Sequence, residues 1–222
     1  MDLDLKIEND ILPKLTQETC ALLNLKKKEL SALSWQTGES NTDTDFSNLS
    51  KVCCNSAFTN INKITGLSLE INIPDLKLKF KYKRKIINKK IELKSTKSIN
   101  SKIPGSMIAS LDPNIWTIMC LRADLKDKIE VRYGRYFIGM EISPYEKFQD
   151  RSPRPCLNFS KFQKFNEKPR TTITTMSKSF WIDYAKSAVR RVLEPQQYSW
   201  QDDLVREIIK IVLKDPKKFK DI

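Results

Sequence analysis

From Leu76 to Lys83 the chain reads LKLKFKYK, an unbroken alternation that puts Leu76, Leu78, Phe80 and Tyr82 on one side and four lysines on the other. A period of two belongs to a β-strand, because a helix would scatter these side chains around its circumference. The segment therefore demands an apolar layer on one face and water on the other. Upstream of Gly66 the spacing is helical instead: Leu15, Leu22, Leu23 and Leu30 beyond Pro13, then Phe46, Leu49, Val52, Cys53, Ala57 and Ile61 after a cap at Thr44 or Asp45. Downstream of it Leu67, Leu69, Ile71 and Ile73 alternate and Pro74 interrupts. Ile91 and Leu93 form a third short strand after a turn expected from Arg84 to Asn88.

Further along, the apolar run IWTIMCL at 115–121 predicts a strand covered on both faces, and KIEVRYGRYFIGMEI predicts a hairpin turning near Gly134. Residues 143–177 hold four prolines amid basic side chains and read as a long loop. Two helices close the chain, from about Ser179 to Leu193, burying Trp181 and Tyr184, and from about Gln201 to Leu213. With 222 residues, 40% of them apolar, one compact core is within reach. The expectation is a single α/β domain of mixed α+β character. A helical part spans 1–66, a sheet core 67–142, a basic loop 143–177 and C-terminal helices 178–222.

Charge narrows the partners. Residues 1–70 carry seven lysines, no arginine and ten acids, whereas residues 71–222 carry thirty-three basic residues against seventeen acids. Nine of the ten arginines lie at or beyond Arg122. A basic surplus of this kind points to a polyanion, with double-stranded DNA the leading candidate, and the guanidinium fork suits phosphates and guanine edges. Candidate contacts are Arg132 and Arg135 beside the expected turn, and Arg151, Arg154, Lys161, Lys164, Lys168 and Arg170 in the loop. For each, a solvated surface charge is the plain alternative.

Absences exclude whole chemistries. The chain has no histidine, which removes Ser-His and Cys-His hydrolysis and histidine metal sites. Its five glycines, at 38, 66, 105, 134 and 139, cannot be arranged into a phosphate loop or a dinucleotide turn, so no nucleotide cofactor is expected. The five cysteines form no C-x-x-C pair and fit buried thiols in a reducing compartment. No uncharged run approaches the ~20 residues of a membrane span, and MDLDLKIEND is unlike a leader, so a cytoplasmic location without membrane association is expected.

Between Ile71 and Leu111 only two acids, Asp75 and Glu92, stand among eleven basic residues. Glu92 and Lys94 are two apart on a strand and project from one side, and an antiparallel return over the intervening residues can bring Asp75 beside Glu92. Mg²⁺ takes oxygen ligands and needs only one or two protein carboxylates. Asp75, Glu92 and the backbone carbonyl of Leu93 are thus a credible ligand set, with Lys94 placed to orient or help deprotonate an attacking water. The acid-x-Lys pattern occurs five times, ending at Lys6, Lys77, Lys94, Lys126 and Lys217. The local competitor is Glu70 with Asp75 and Lys77; the bland reading is a set of solvated strand charges.

The arrangement IPD, then residues 76–91, then ELK resembles the PD-(D/E)xK nuclease superfamily, with Pro74, Asp75, Glu92 and Lys94 matching the motif position by position. The resemblance spans about residues 44–142. It implies a restriction-endonuclease-like fold, a mixed central sheet flanked by helices, and Mg²⁺-dependent cleavage of double-stranded DNA at a specific short sequence, as in type II restriction enzymes. A homodimer is the expectation for that class, because palindromic sites are met by two-fold symmetric proteins. A structure-selective repair or recombination nuclease and a non-catalytic DNA-binding protein are the alternatives.

Overall fold

The computed structural model describes residues 2–33, 44–102, 112–122, 129–142, 155–173 and 200–214. These residues fall into two compact units. The first holds the described residues up to 101, from 112 to 140 and from 157 to 173.

This first unit is mixed α+β. Its helices are α1 (Leu3–Lys6), continued by a π-helical turn over Ile7–Ile11, then α2 (Leu12–Leu25), α3 (Lys27–Ala32) and α4 (Thr44–Ile61). Pro13 occupies the first turn of α2, directly after the π-helical turn. On α4 the buried residues Phe46, Ser47, Ser50, Cys53, Cys54 and Ala57 follow the helical period, while Val52, expected inside, is exposed.

The sheet carries the strands β1 (Leu67–Asn72), β2 (Leu76–Tyr82), β3 (Lys85–Thr96), β5 (Trp116–Arg122) and β6 (Ile129–Arg135), in the order β1-β2-β3-β5-β6. The pairs β1–β2, β2–β3 and β5–β6 are antiparallel and β3–β5 is parallel. Three short strands, β4 (Asn100–Lys102), β7 (Met140–Ile142) and β8 (Pro155–Asn158), form a separate sheet in the order β4-β8-β7.

Strand β2 realises its alternation, since Leu76, Leu78 and Phe80 are buried. They share one core with Leu15, Leu23 and Cys20 of α2, Cys53 and Ala57 of α4, and Ile91, Leu93, Ile118 and Val131 of the sheet. Each leucine, isoleucine, valine or phenylalanine among them contributes about 1.5–3 kcal/mol on burial. Asn24 ties α2 to β6 by donating to the Val131 carbonyl at 2.8 Å and accepting from its N–H at 3.1 Å. As expected, β5 is covered on both faces, with Trp116 to Cys120 all buried.

Two expectations are corrected. The third strand is long: β3 begins at Lys85, directly after a tight turn at Lys83 and Arg84, rather than near Ile91. There is no hairpin at Gly134, which lies inside β6 opposite Thr117; the chain runs on into α5 (Tyr136–Gly139) and then β7. Gly134 meets a different constraint. An added Cβ there would stand 3.3 Å from the Phe162 ring, because the segment from Phe159 to Gln163 lies over β6. The expected loop 143–177 likewise contains strand β8 and a 3-10 turn at Phe159–Lys161 within its described part.

In the second unit, helix α6 (Trp200–Lys214) coincides with the last expected helix and leaves Ile208, Ile211 and Leu213 exposed. The expected helix from Ser179 to Leu193, with Trp181 and Tyr184, lies outside the described residues. Among the described residues no helix is long and apolar enough to cross a membrane.

Gly139 packs still closer to Phe162 than Gly134 does, and a Cβ at 139 would overlap the ring. Gly139→Ala is expected to cost about 1–3 kcal/mol by forcing that ring aside. Urea unfolding of the variant against wild type checks this.

Candidate active site

The register of β2 on β3 pairs Leu76 with Ile91, so Asp75, one residue before β2, comes opposite Glu92. Asp75 follows a cis Ile73–Pro74 peptide and has a φ of 56°. That left-handed region costs an aspartate less than most residues, yet it is still a sparsely occupied conformation of the kind that collects at functional sites. The carboxylate is held by the backbone it faces: Asp75 Oδ1 accepts from the Leu93 N–H at 2.9 Å.

Glu92 and Lys94 project from the same side of β3, as strand parity requires, and Lys94 Nζ lies 2.6 Å from Glu92 Oε1. Lys90, two residues earlier on that face, has its ammonium between the two carboxylates, 2.9 Å from Asp75 Oδ2 and 2.7 Å from Glu92 Oε2. Sequence reasoning missed Lys90. The signal was the same parity that joined Glu92 to Lys94, applied one step in the other direction.

Burial alone would push the Glu92 carboxyl up, but the ammonium groups of Lys94 and Lys90 outweigh it and hold the carboxyl below its ordinary range. Burial would lower Lys90, and its bonds to Glu92 and Asp75 overcome that and raise it. Tyr136, fully buried, has its phenol pushed up by burial and then by the charges of Glu92 and Asp75. Two carboxylates and two ammoniums thus form a charge-balanced cluster at the centre of the sheet.

The competing set is taken apart by the fold. Glu70 sits on β1 opposite Lys79, and its carboxylate is engaged by Lys81 at 2.7 Å. Among the described residues no group of three or more His, Cys, Asp or Glu side chains is positioned for a metal ion. The pair Asp75 and Glu92 still fits a hard cation, which takes its remaining ligands from water and substrate; a cationic group already stands between their oxygens, and the Leu93 backbone runs alongside.

The basic candidates separate. Arg135 is 3% exposed, bonded to Glu8 and the Asn114 carbonyl, with its guanidinium over the Trp116 ring, so it serves the interior. Arg132 is bound to Glu130 and the Ser160 carbonyl and stacks on Phe159. Lys161, Lys164, Lys168 and Arg170 are exposed, whereas Arg151 and Arg154 lie outside the described residues. Cys20, Cys53, Cys54, Cys120 and Cys156 are all buried and none of them is in a disulfide.

No family model matches the chain, and no curated protein or solved structure matches it.

Since the folded value of Glu92 is lowered, its contribution to stability is present above the ordinary carboxylate range and is lost as pH falls through that lowered value. Glu92→Gln is expected to flatten this acid limb and to cost about 1–3 kcal/mol at neutral pH by leaving two ammoniums without their carboxylate. Urea midpoints measured across an acid pH series test both effects.

Proposed function

We propose that the protein is a divalent-metal-dependent endonuclease that hydrolyses phosphodiester bonds of double-stranded DNA, of the type II restriction kind, built on a restriction-endonuclease-like fold. The observation that carries the reading is the meeting of Asp75 with Glu92 and Lys94, residues 17 and 19 positions later, around one bridging ammonium. Solvated strand charges do not require one carboxylate to be fixed by a backbone N–H and the other to be buried. The mixed sheet supports the same reading, because Glu92 and Lys94 fall on its middle strand.

Mg²⁺ suits this donor set. Asp75, Glu92 and the Leu93 carbonyl would hold it, and the chemistry it supplies when bound is stabilisation of charge building on the scissile phosphate. The chain's own groups do the rest. Lys94, tethered to Glu92, orients the attacking water and balances the developing negative charge. Asp75 is kept in position by the Leu93 N–H on one oxygen and by the Lys90 ammonium on the other. A pair of chains related by a two-fold axis would present one such site to each DNA strand.

Lys94→Ala is expected to lower cleavage about 100-fold or more while DNA binding survives, as read from plasmid digests with and without Mg²⁺ beside a gel-shift titration. Unchanged cutting rejects the assignment. Discrete fragments mark a sequence-specific enzyme, and preference for flaps or junctions marks a repair nuclease.

Lys90 competes with any cation for the same two oxygens. Lys90→Met is therefore expected to lower the Mg²⁺ concentration needed for half-maximal thermal stabilisation about tenfold. An unchanged midpoint, or no Mg²⁺-dependent stabilisation in either protein, counts against a metal at this pair.

A further inference from the structure

The face of the sheet that carries Glu92 and Lys94 extends well beyond them, because residues directly opposite on paired strands share a face. Through the register this face comprises Ser68, Glu70 and Asn72 on β1, Lys77, Lys79 and Lys81 on β2, and Ile86, Asn88 and Lys90 on β3. Every one of these nine is exposed or half-buried. On the other side of Glu92 the same face is closed: Thr117 and Met119 of β5 are buried, and the segment from Phe159 to Gln163 lies over β6. The site thus stands at the rim of an open, lysine-bearing sheet surface.

We infer that this open face of β1, β2 and β3 is a binding surface for the sugar-phosphate backbone of duplex DNA, with Lys77, Lys79 and Lys81 as its phosphate contacts leading to the Asp75–Glu92 pair. The inference rests on the hydrolytic reading only for the direction of approach. Three observations carry the surface itself. The lysines repeat every second residue, about 6.8 Å apart, so they form a straight row of cations that a linear polyanion can follow. They face one acid, Glu70, whose exposed pairing with Lys81 contributes little and is readily exchanged for a phosphate. The row is continuous in register with the site, since Lys77 is directly opposite Lys90, whose ammonium touches both carboxylates.

Charge also selects this face over the other. The opposite face of β2 is buried in the core under α2 and α4, and the arginines nearest the site on β6 are committed to Glu130, Ser160, Glu8 and Asn114. Asn72 and Asn88 flank the row with neutral donors suited to phosphate or sugar oxygens. No pocket or groove is needed: a flat row of cations reads the backbone without reading sequence.

The test uses the full chain carrying Lys77→Gln, Lys79→Gln and Lys81→Gln together, with Lys14→Gln, Lys27→Gln and Lys28→Gln as a control of equal charge change on the exposed helical side. Anisotropy titration of a fluorescent duplex in EDTA, at several salt concentrations, gives affinity and salt slope without cleavage. The β2 variant is expected to bind roughly tenfold to a hundredfold more weakly, with the slope of log K against log salt reduced by about one per lysine engaged, while the control retains both. Equal losses in the two variants, or none in the first, overturn the proposal, as does lysine-dependent binding to anionic vesicles with no duplex binding. Circular dichroism melts establish that both variants fold. Asp75→Asn, titrated alongside, separates the two claims: cleavage lost with binding intact supports hydrolysis whatever the lysines do, and absent wild-type cleavage removes that reading while the anisotropy result still decides the surface.

Discussion

The antiparallel pairing of β2 with β3 is the constraint on which everything at the site depends. Asp75 is not on the strand that carries Glu92 and Lys94, and nothing but register brings it there. A slip of one residue would turn Leu76, Leu78 and Phe80 out of the core and carry Asp75 to the opposite face. The apolar side of β2 therefore fixes the polar side: burial of three large side chains sets the position of a carboxylate that no local interaction could place. The Leu93 N–H then converts that position into an orientation.

Electrostatics at this junction follow from the same geometry. Glu92 is nearly buried, and a lone carboxylate there would be expensive to ionise. Two ammoniums repay that cost, Lys94 from one side and Lys90 from the other. The result is a cluster that is neutral as a whole and balanced without help. On the proposed hydrolytic reading, the ammonium bridging Asp75 and Glu92 occupies the space a hard cation would seek.

Much of this was legible in the sequence. Strict alternation fixed the facing of β2, the isolation of two acids in a basic stretch marked the site, and parity joined Glu92 to Lys94. What escaped notice escaped for physical reasons. Residues 85–88, within the turn expected from Arg84 to Asn88, belong to β3: this half of the strand lies on an open sheet surface where lysine and asparagine need no apolar alternation. Gly134 was read as a turn residue, yet its lack of a side chain serves the close approach of Phe162. Arg135 counted as surface charge until Trp116, Glu8 and Asn114 gave it an interior partner set contributed from distant parts of the chain.

The same contrast separates the arginines of β6 from the lysines of β2. A guanidinium is the less strongly hydrated cation and stacks on aromatic rings, so in a chain with buried tryptophan and phenylalanine it is drawn into structural work, as Arg135 over Trp116 and Arg132 over Phe159 illustrate. An ammonium on an exposed strand has no comparable reason to turn inward. Lysines 77, 79 and 81 keep their heads on the open face because their apolar neighbours take the other one. The alternation that builds the core thus also builds the row of positive charge beside Asp75 and Glu92, so one strand supplies the core with one face and the proposed duplex contact with the other.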